Sequence, residues 1–279
     1  MSKNTSTFAD TETEQKQAVC PEHGEYTSTR FKLMTRWMSW TSCPECAAEA
    51  EAQRKAEEEA KAKRAAEQRR ANLIDSIYRD SGIPLRYAQA VFKTYKPGCE
   101  KSKQALASCR SYVERWEHVY DEGLNLIMTG TAGTGKTHLA IAVMHELIEK
   151  HTIGVRYTTV SQLIRAIRST YNSDSGPTEQ DVFDSYSRVP LLVLDEIGVK
   201  YASDFEKAAI FEIIDNRYND RLPTVLISNL ALKAIAEVMG ERTIDRLSEG
   251  GSVLAFQWES YRGRKRADST SESTVHGRD

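Results

Sequence analysis

The stretch that most restricts what this chain can fold into runs from Leu124 to Thr137: Leu-Asn-Leu-Ile-Met-Thr-Gly-Thr-Ala-Gly-Thr-Gly-Lys-Thr. Leu124 to Met128 is a short apolar run of strand length. It breaks into Gly130, Thr131, Ala132, Gly133, Thr134, Gly135, Lys136 and Thr137, which match the spacing Gly, four residues, Gly-Lys-Ser/Thr. Glycines let such a loop turn tightly, so that successive N–H groups point inward at phosphate oxygens, and the helix that opens near Lys136 adds its positive end. The Lys136 ammonium is placed to neutralise the β and γ phosphates of ATP. The Thr137 hydroxyl is placed to enter a Mg²⁺ shell. A strand, a phosphate loop and a helix in this order commit the chain to an α/β architecture around a nucleotide.

The rest of the C-terminal two-thirds agrees. After the loop a helix is expected to about Lys150, then a strand at Val155–Thr159 and a helix from Val160 to Tyr171, ending in a turn-rich segment, Asn172 to Pro177. Such alternation predicts a parallel sheet covered by helices on both faces. Leu191-Leu-Val-Leu-Asp195-Glu196 then reads as a buried strand with two carboxylates at its C-terminal end, where α/β sheets hold their ligands. Asp195 is the candidate to hold Mg²⁺ through water, and Glu196 to orient or deprotonate the attacking water. Thr224 to Ser228 is a further strand, followed by Asn229, which either hydrogen-bonds the γ-phosphate or the attacking water, or caps the next helix. Ser102 to Tyr120 has the apolar spacing of a helix packed on this domain. Gly240-Glu-Arg242 lies on a short helix. Ser260-Tyr-Arg262-Gly-Arg-Lys-Arg266 closes the ordered chain, and 267–279 is a polar tail.

The N-terminal part has another character. Residues 1–18 are polar and aperiodic and are expected to be a disordered tail. Cys20-Pro-Glu-His23 and Cys43-Pro-Glu-Cys46 follow, with 19 residues between His23 and Cys43. Two knuckles, each with ligands three apart, supply the tetrahedral set that Zn²⁺ requires, so residues 19–46 are expected to form a zinc-ribbon-like module with a hairpin around Tyr26–Phe31. Trp37, Met38 and Trp40 lie between the knuckles. A module this small cannot bury them deeply, so they either offer a surface to protein or nucleic acid or pack on the ribbon. Ala47 to Arg70 contains no Leu, Ile, Val or aromatic residue and consists almost wholly of Ala, Glu, Lys, Arg and Gln. That composition favours helix but supplies no coiled-coil seam, so residues 47–80 are read as a charged helical spacer.

Whole-chain properties exclude other classes. A net charge of −2 gives no global attraction to nucleic acid, so a DNA site must be local. No apolar run reaches the roughly 18 residues of a membrane helix. The polar N-terminus lacks a signal-peptide core. The expectation is a cytoplasmic protein without a membrane partner, in whose compartment paired cysteines more often bind metal than form disulfides.

From about Gly82 to Arg266 the combination resembles the DnaC-type replicative-helicase loaders, within the AAA+ ATPases. Gly82-Ile-Pro with Phe92, Asp195-Glu-Ile-Gly-Val199, Gly240-Glu-Arg242 and Ser260-Tyr-Arg262 carry the likeness. The resemblance implies an AAA+ domain over 81–266 and an ATPase that assembles with copies of itself, binds single-stranded DNA and delivers a replicative DNA helicase. It also implies roles for single residues. Asn229 looks like the first sensor, Arg242 like the arginine finger that reaches a neighbouring subunit's ATP, and Arg262 like the second sensor, on the nucleotide of its own subunit. The zinc knuckles depart from the loader whose N-terminal part is purely helical and are similar to loaders that carry a zinc module. The alternative is an ATP-binding helper of DNA transposition, whose core is similar.

Overall fold

The computed structural model describes residues 12–171, 176–198 and 203–261. Residues 1–11, 199–202 and 262–279, and Asn172–Ser175 of the turn-rich segment, lie outside the described residues. The chain divides into two compact units, Met1–Arg69 and Arg70–Asp279.

In the first unit, β1 (Thr13–Cys20) and β2 (Gly24–Leu33) form an antiparallel hairpin in which Thr13 faces Phe31 and Cys20 faces Gly24. β3 (Arg36–Trp37) pairs with the end of β2. The tail expected over residues 1–18 is therefore too long, because Thr13 to Val19 are strand. Its side chains are paired by charge rather than by apolar contact: Arg30 donates to Glu14, and Lys32 to Glu12 at 2.7 Å. A strand held this way carries no hydrophobic alternation for sequence reading to detect. Trp37 and Trp40 lie against cations, with the Arg30 guanidinium 4.7 Å from both ring centroids and Lys16 4.5 Å from that of Trp40. This fits the packing alternative for the tryptophans, whereas Met34 is 93% exposed.

α1 (Pro44–Asp80) is a single 37-residue helix with no buried residue. It begins slightly before the expected spacer because Pro44 suits the first helical position, where no N–H is needed. At 1.5 Å per residue it is about 55 Å long.

The second unit is a five-stranded parallel sheet in the order β5-β6-β7-β4-β8. In chain order its elements are α2 (Glu100–Glu114), α3 (Trp116–Asp121), β4 (Leu126–Gly130), α4 (Lys136–Glu146), β5 (Val155–Thr159) and α5 (Val160–Thr170). They continue with α6 (Glu179–Ser187), β6 (Leu191–Ile197), α7 (Asp204–Asn219), β7 (Thr224–Ser228), α8 (Leu232–Met239), α9 (Glu241–Ser248) and β8 (Ser252–Phe256). Alternate residues of the strands feed two cores. Leu126, Met128, Val193, Val225 and Ile227 join buried residues of α2, α3 and α4. Ile127, Leu192, Leu194 and Leu226 join those of α5 to α9.

Three details differ from expectation. The helix predicted over Ser102–Tyr120 is two, broken at Arg115 (φ −103°, ψ 29°). The helix predicted to Lys150 leaves α-geometry at Leu147 for one π-helical turn, ended by Thr152 at φ 56°. β8 and α6 were not expected, although Val253, Leu254 and Phe256 after Gly250-Gly251 are a strand-like signal. The fully buried Arg217 on α7 ties this end of the sheet together, donating to the carbonyls of Tyr186, Ser187, Val189 and Pro223 and to the Thr224 hydroxyl at 2.6–3.1 Å.

Candidate nucleotide site and metal centre

β4 lies inside the sheet between β7 and β8, so the loop after it opens at the C-terminal edge of the parallel strands. Backbone sterics explain two of its glycines. Gly130 has φ 126°, and a Cβ there would lie 2.2 Å from the Phe256 carbonyl oxygen of β8. Gly135, the N-cap of α4, has φ 96° and would drive a Cβ to 2.6 Å from the Tyr95 ring. Lys136 is buried and folds back over the loop, donating to the carbonyls of Gly130 (2.7 Å) and Thr131 (2.8 Å). Burial lowers its pKa to about 8, against a smaller opposing effect of Asp195. An anion in the loop would restore the preference for the charged form.

Thr137 and Asp195 meet: the Thr137 hydroxyl donates to Asp195 Oδ2 at 2.8 Å. A third group, absent from the sequence reading, joins them. The Tyr157 hydroxyl of β5 donates to the same Oδ2 at 2.9 Å, and the Glu196 N–H to Oδ1 at 2.6 Å. Burial, and then the Asp195 charge, push the Tyr157 phenol far up, so that it stays a donor. Glu196 is exposed and sits at φ 61°, where β6 carries one more residue than β7 between Leu194 and Ile197. Non-glycine residues held in the left-handed region concentrate at functional sites.

A cavity of about 370 Å³ adjoins the loop, lined by Gly133–Gly135, Tyr87, Tyr95, His138 and Trp258 among others. Trp258 Nε1 donates to the Thr134 carbonyl (3.1 Å), as does the Tyr95 hydroxyl (3.4 Å). The Tyr261 N–H donates to Gly133 O at 2.9 Å. Tyr95 and Trp258 come from segments far apart in sequence and no motif marks them, whereas Tyr261 stands in the Ser260-Tyr-Arg262 stretch.

A family model described as IstB-like ATP binding protein matches residues 88–269. The replicative helicase loader DnaC of Escherichia coli (strain K12) is 35% identical over 196 residues, 70% of this chain and 78% of that protein. This chain belongs to the IstB-like ATP-binding proteins. As an IstB-like protein it is a homologue of DnaC, and a crystal structure of the DnaC helicase loader superposes with a TM-score of 0.57 at 27% identity, covering 62% of this chain and 99% of that one. The crystal structure of DnaI, 21% identical with a TM-score of 0.54, shares the fold. YdaV of E. coli (strain K12) is 28% identical over 250 residues, 89% of this chain, so that match takes in residues of the N-terminal unit as well.

The remaining expected residues of the IstB-like unit lie on other elements. Asn229 follows β7 and is exposed. It does not cap α8, whose N-cap is Ala231. Beside it, Ser228 ties the ends of β7 and β6 together through its hydroxyl, which donates to Ile197 O at 2.8 Å. Arg242 is exposed on α9, its guanidinium 5.7 Å from the Phe211 ring. Arg262 lies outside the described residues.

In the N-terminal unit the ligand atoms of Cys20, His23, Cys43 and Cys46 all lie within 4.8 Å of one another. His23 Nδ1 is 3.2 Å from Cys46 Sγ, and Cys46 Sγ is 3.5 Å from Cys20 Sγ. Backbone N–H groups of Glu22 and His23 hold the Cys20 thiol down to about 6, favouring thiolate. Three sulfurs and one imidazole nitrogen converging at a strand end and a helix start fit a tetrahedral Zn²⁺. On the far side of the ring, Nε2 is 3.3 Å from a Glu49 carboxylate oxygen, a partner of the kind that orients metal-bound histidines.

Among the described residues no helix is long and apolar enough to cross a membrane.

Proposed function

We propose that this protein is an ATP-dependent loader that binds single-stranded DNA and delivers a replicative helicase during initiation of DNA replication. The observation that carries the reading is the bond between Thr137 and the buried Asp195 beside the loop that Lys136 folds over, in a chain 35% identical over 196 residues to the helicase loader DnaC. Gly130–Gly135 N–H groups and Lys136 would hold the ATP phosphates, and Thr137, with Asp195 through water, would hold a Mg²⁺ ion that neutralises the charge developing on the phosphates. Glu196 would deprotonate or orient the attacking water, and Asn229 would steady it. Arg242 would complete a neighbouring subunit's site, and Arg262 would touch the nucleotide of its own. Hydrolysis is thus coupled to assembly with copies of this chain.

Cys20, His23, Cys43 and Cys46 would hold one Zn²⁺ that organises the N-terminal unit for contact with the helicase, and the charged α1 would serve as the spacer. Single-stranded DNA would be held through local basic groups. Its binding would therefore weaken steeply with salt, and any stacking would tolerate every base. The test is helicase deposition on a single-stranded circle coated with binding protein. Deposition should require Lys136 and residues 1–46. A protein that neither binds a helicase nor speeds its loading, but assembles with a transposase on duplex DNA, would replace this reading with that of a transposition helper.

A further inference from the structure

We infer that Tyr157 is a positioning residue for the metal site: its buried hydroxyl sets the orientation of the Asp195 carboxylate and so the affinity of the nucleotide site for Mg²⁺. The inference rests on the ATP–Mg²⁺ reading of that site.

A carboxylate offers about four acceptor directions. At Asp195 three are taken: Thr137 and Tyr157 both donate to Oδ2, and the Glu196 N–H donates to Oδ1. One direction, on Oδ1, remains for a metal-bound water. Without the phenol, Oδ2 would have one donor, and the group could rotate about its terminal torsion, which is intrinsically soft. Asp195 and Tyr157 are 5% and 4% exposed, so bulk water cannot readily replace the lost donor. The hydrogen bond is charge-assisted and correspondingly strong.

Tyr157 is itself well anchored. It stands on β5 two residues before Thr159, the cross-strand partner of Asp195, so the phenol spans the diagonal between parallel strands. On its other edge its N–H donates at 2.7 Å to the carbonyl of Ser81, a fully buried residue just past the end of α1. The hydroxyl's position is thus set by backbone on two sides.

The test is Tyr157→Phe, which keeps the ring and removes one oxygen. Binding of a fluorescent ATP analogue is measured in excess chelator and then across a Mg²⁺ titration. Affinity without metal should be unchanged, while the half-saturating Mg²⁺ concentration should rise about 10-fold, the lower end for loss of a group that orients a metal ligand. In an Asp195→Asn background, adding Tyr157→Phe should produce no further rise, because the phenol acts through the carboxylate. A purely space-filling role would leave the Mg²⁺ titration unmoved, and that result overturns the inference. An equal loss with and without Asp195 overturns it too. If Tyr157→Phe does not fold, 3-fluorotyrosine placed at 157, with the same shape and a more acidic hydroxyl, must shift the Mg²⁺ titration; no shift overturns it. Failure of the wild type to bind the analogue, or indifference of binding to Lys136→Ala, would instead refute the ATP reading of the site.

Discussion

The two units of this chain solve the problem of staying folded by different physics. The nucleotide-binding unit has a sheet whose central strands β4, β6 and β7 are buried on both faces, with apolar residues alternating into two cores. The N-terminal unit buries only Cys20, Ser28 and Cys43 among its described residues, and α1 buries none. A hairpin with so little apolar burial has little to offset its conformational entropy. It leans on cross-strand ion pairs and on four converging ligand atoms. One unit is therefore expected to be stable without any ligand and the other to be conditional on a metal. That difference can be broken experimentally from either side.

The largest effect should come from the metal. Structural zinc supplies about 10–16 kcal/mol of apparent binding free energy in small domains, so chelation or Cys43→Ser should unfold the N-terminal hairpin outright. Far-UV circular dichroism and metal analysis would follow the loss. ATP binding should survive, and Cys109, fully buried with its thiol pushed up to about 12 by desolvation, should remain unlabelled while Cys20, Cys43 and Cys46 become reactive. Freshly purified protein with no zinc, or loss of nucleotide binding on chelation, would dissolve the contrast.

Next in size is catalysis shared between copies. Arginine fingers supplied in trans contribute about 10³–10⁵ in rate in GTPases. Arg242→Ala should thus keep ATP binding and lose most turnover, and ATPase activity of the wild type should rise more than linearly with concentration. Mixing Arg242→Ala with Lys136→Ala subunits should restore part of the rate. No rescue in confirmed mixed assemblies would place the site within a single chain.

A smaller effect is expected inside the ATPase core. Arg217→Leu removes the donor for four carbonyls and the Thr224 hydroxyl. Leaving even two of these unsatisfied costs about 2–6 kcal/mol at roughly 1–3 each. Urea denaturation of the second unit should show the loss while the zinc module keeps its metal. A change under 1 kcal/mol would mean that the guanidinium is replaceable by water.

The smallest effect should lie on the hairpin surface. Glu14→Gln breaks a pair with Arg30 that solvent reaches, worth about 0–1 kcal/mol, and should leave zinc affinity unchanged in a chelator competition. A loss comparable to that of a ligand would show that charge pairing, not metal, holds the hairpin.

How much could be read in advance follows the same division. Lys136, Thr137, Asp195 and the strands β4 and β6 beside them were legible, because a phosphate loop demands particular residues at neighbouring positions and buried parallel strands demand continuous apolar runs. The convergence of Cys20, His23, Cys43 and Cys46 was legible for the same reason, since each tight turn supplies two donors from one short stretch. β1 was not, because its strand is made of polar residues whose partners lie across a hairpin. The break at Arg115 and the π-helical turn at Leu147–His151 were hidden too, as departures of helix geometry from a smooth apolar period.

What the sequence by itself determined, then, is the chemistry of contiguous motifs and the α/β class they imply. Only the tertiary structure decided which distant side chains complete them. Tyr157 reaches Asp195 because β5 and β6 are neighbours in the sheet, Tyr95 and Trp258 reach Thr134 from opposite ends of the unit, and Glu49 reaches His23 across a helix start. A hydrogen bond depends on separation in space, and a folded sheet brings together residues that no sequence spacing relates.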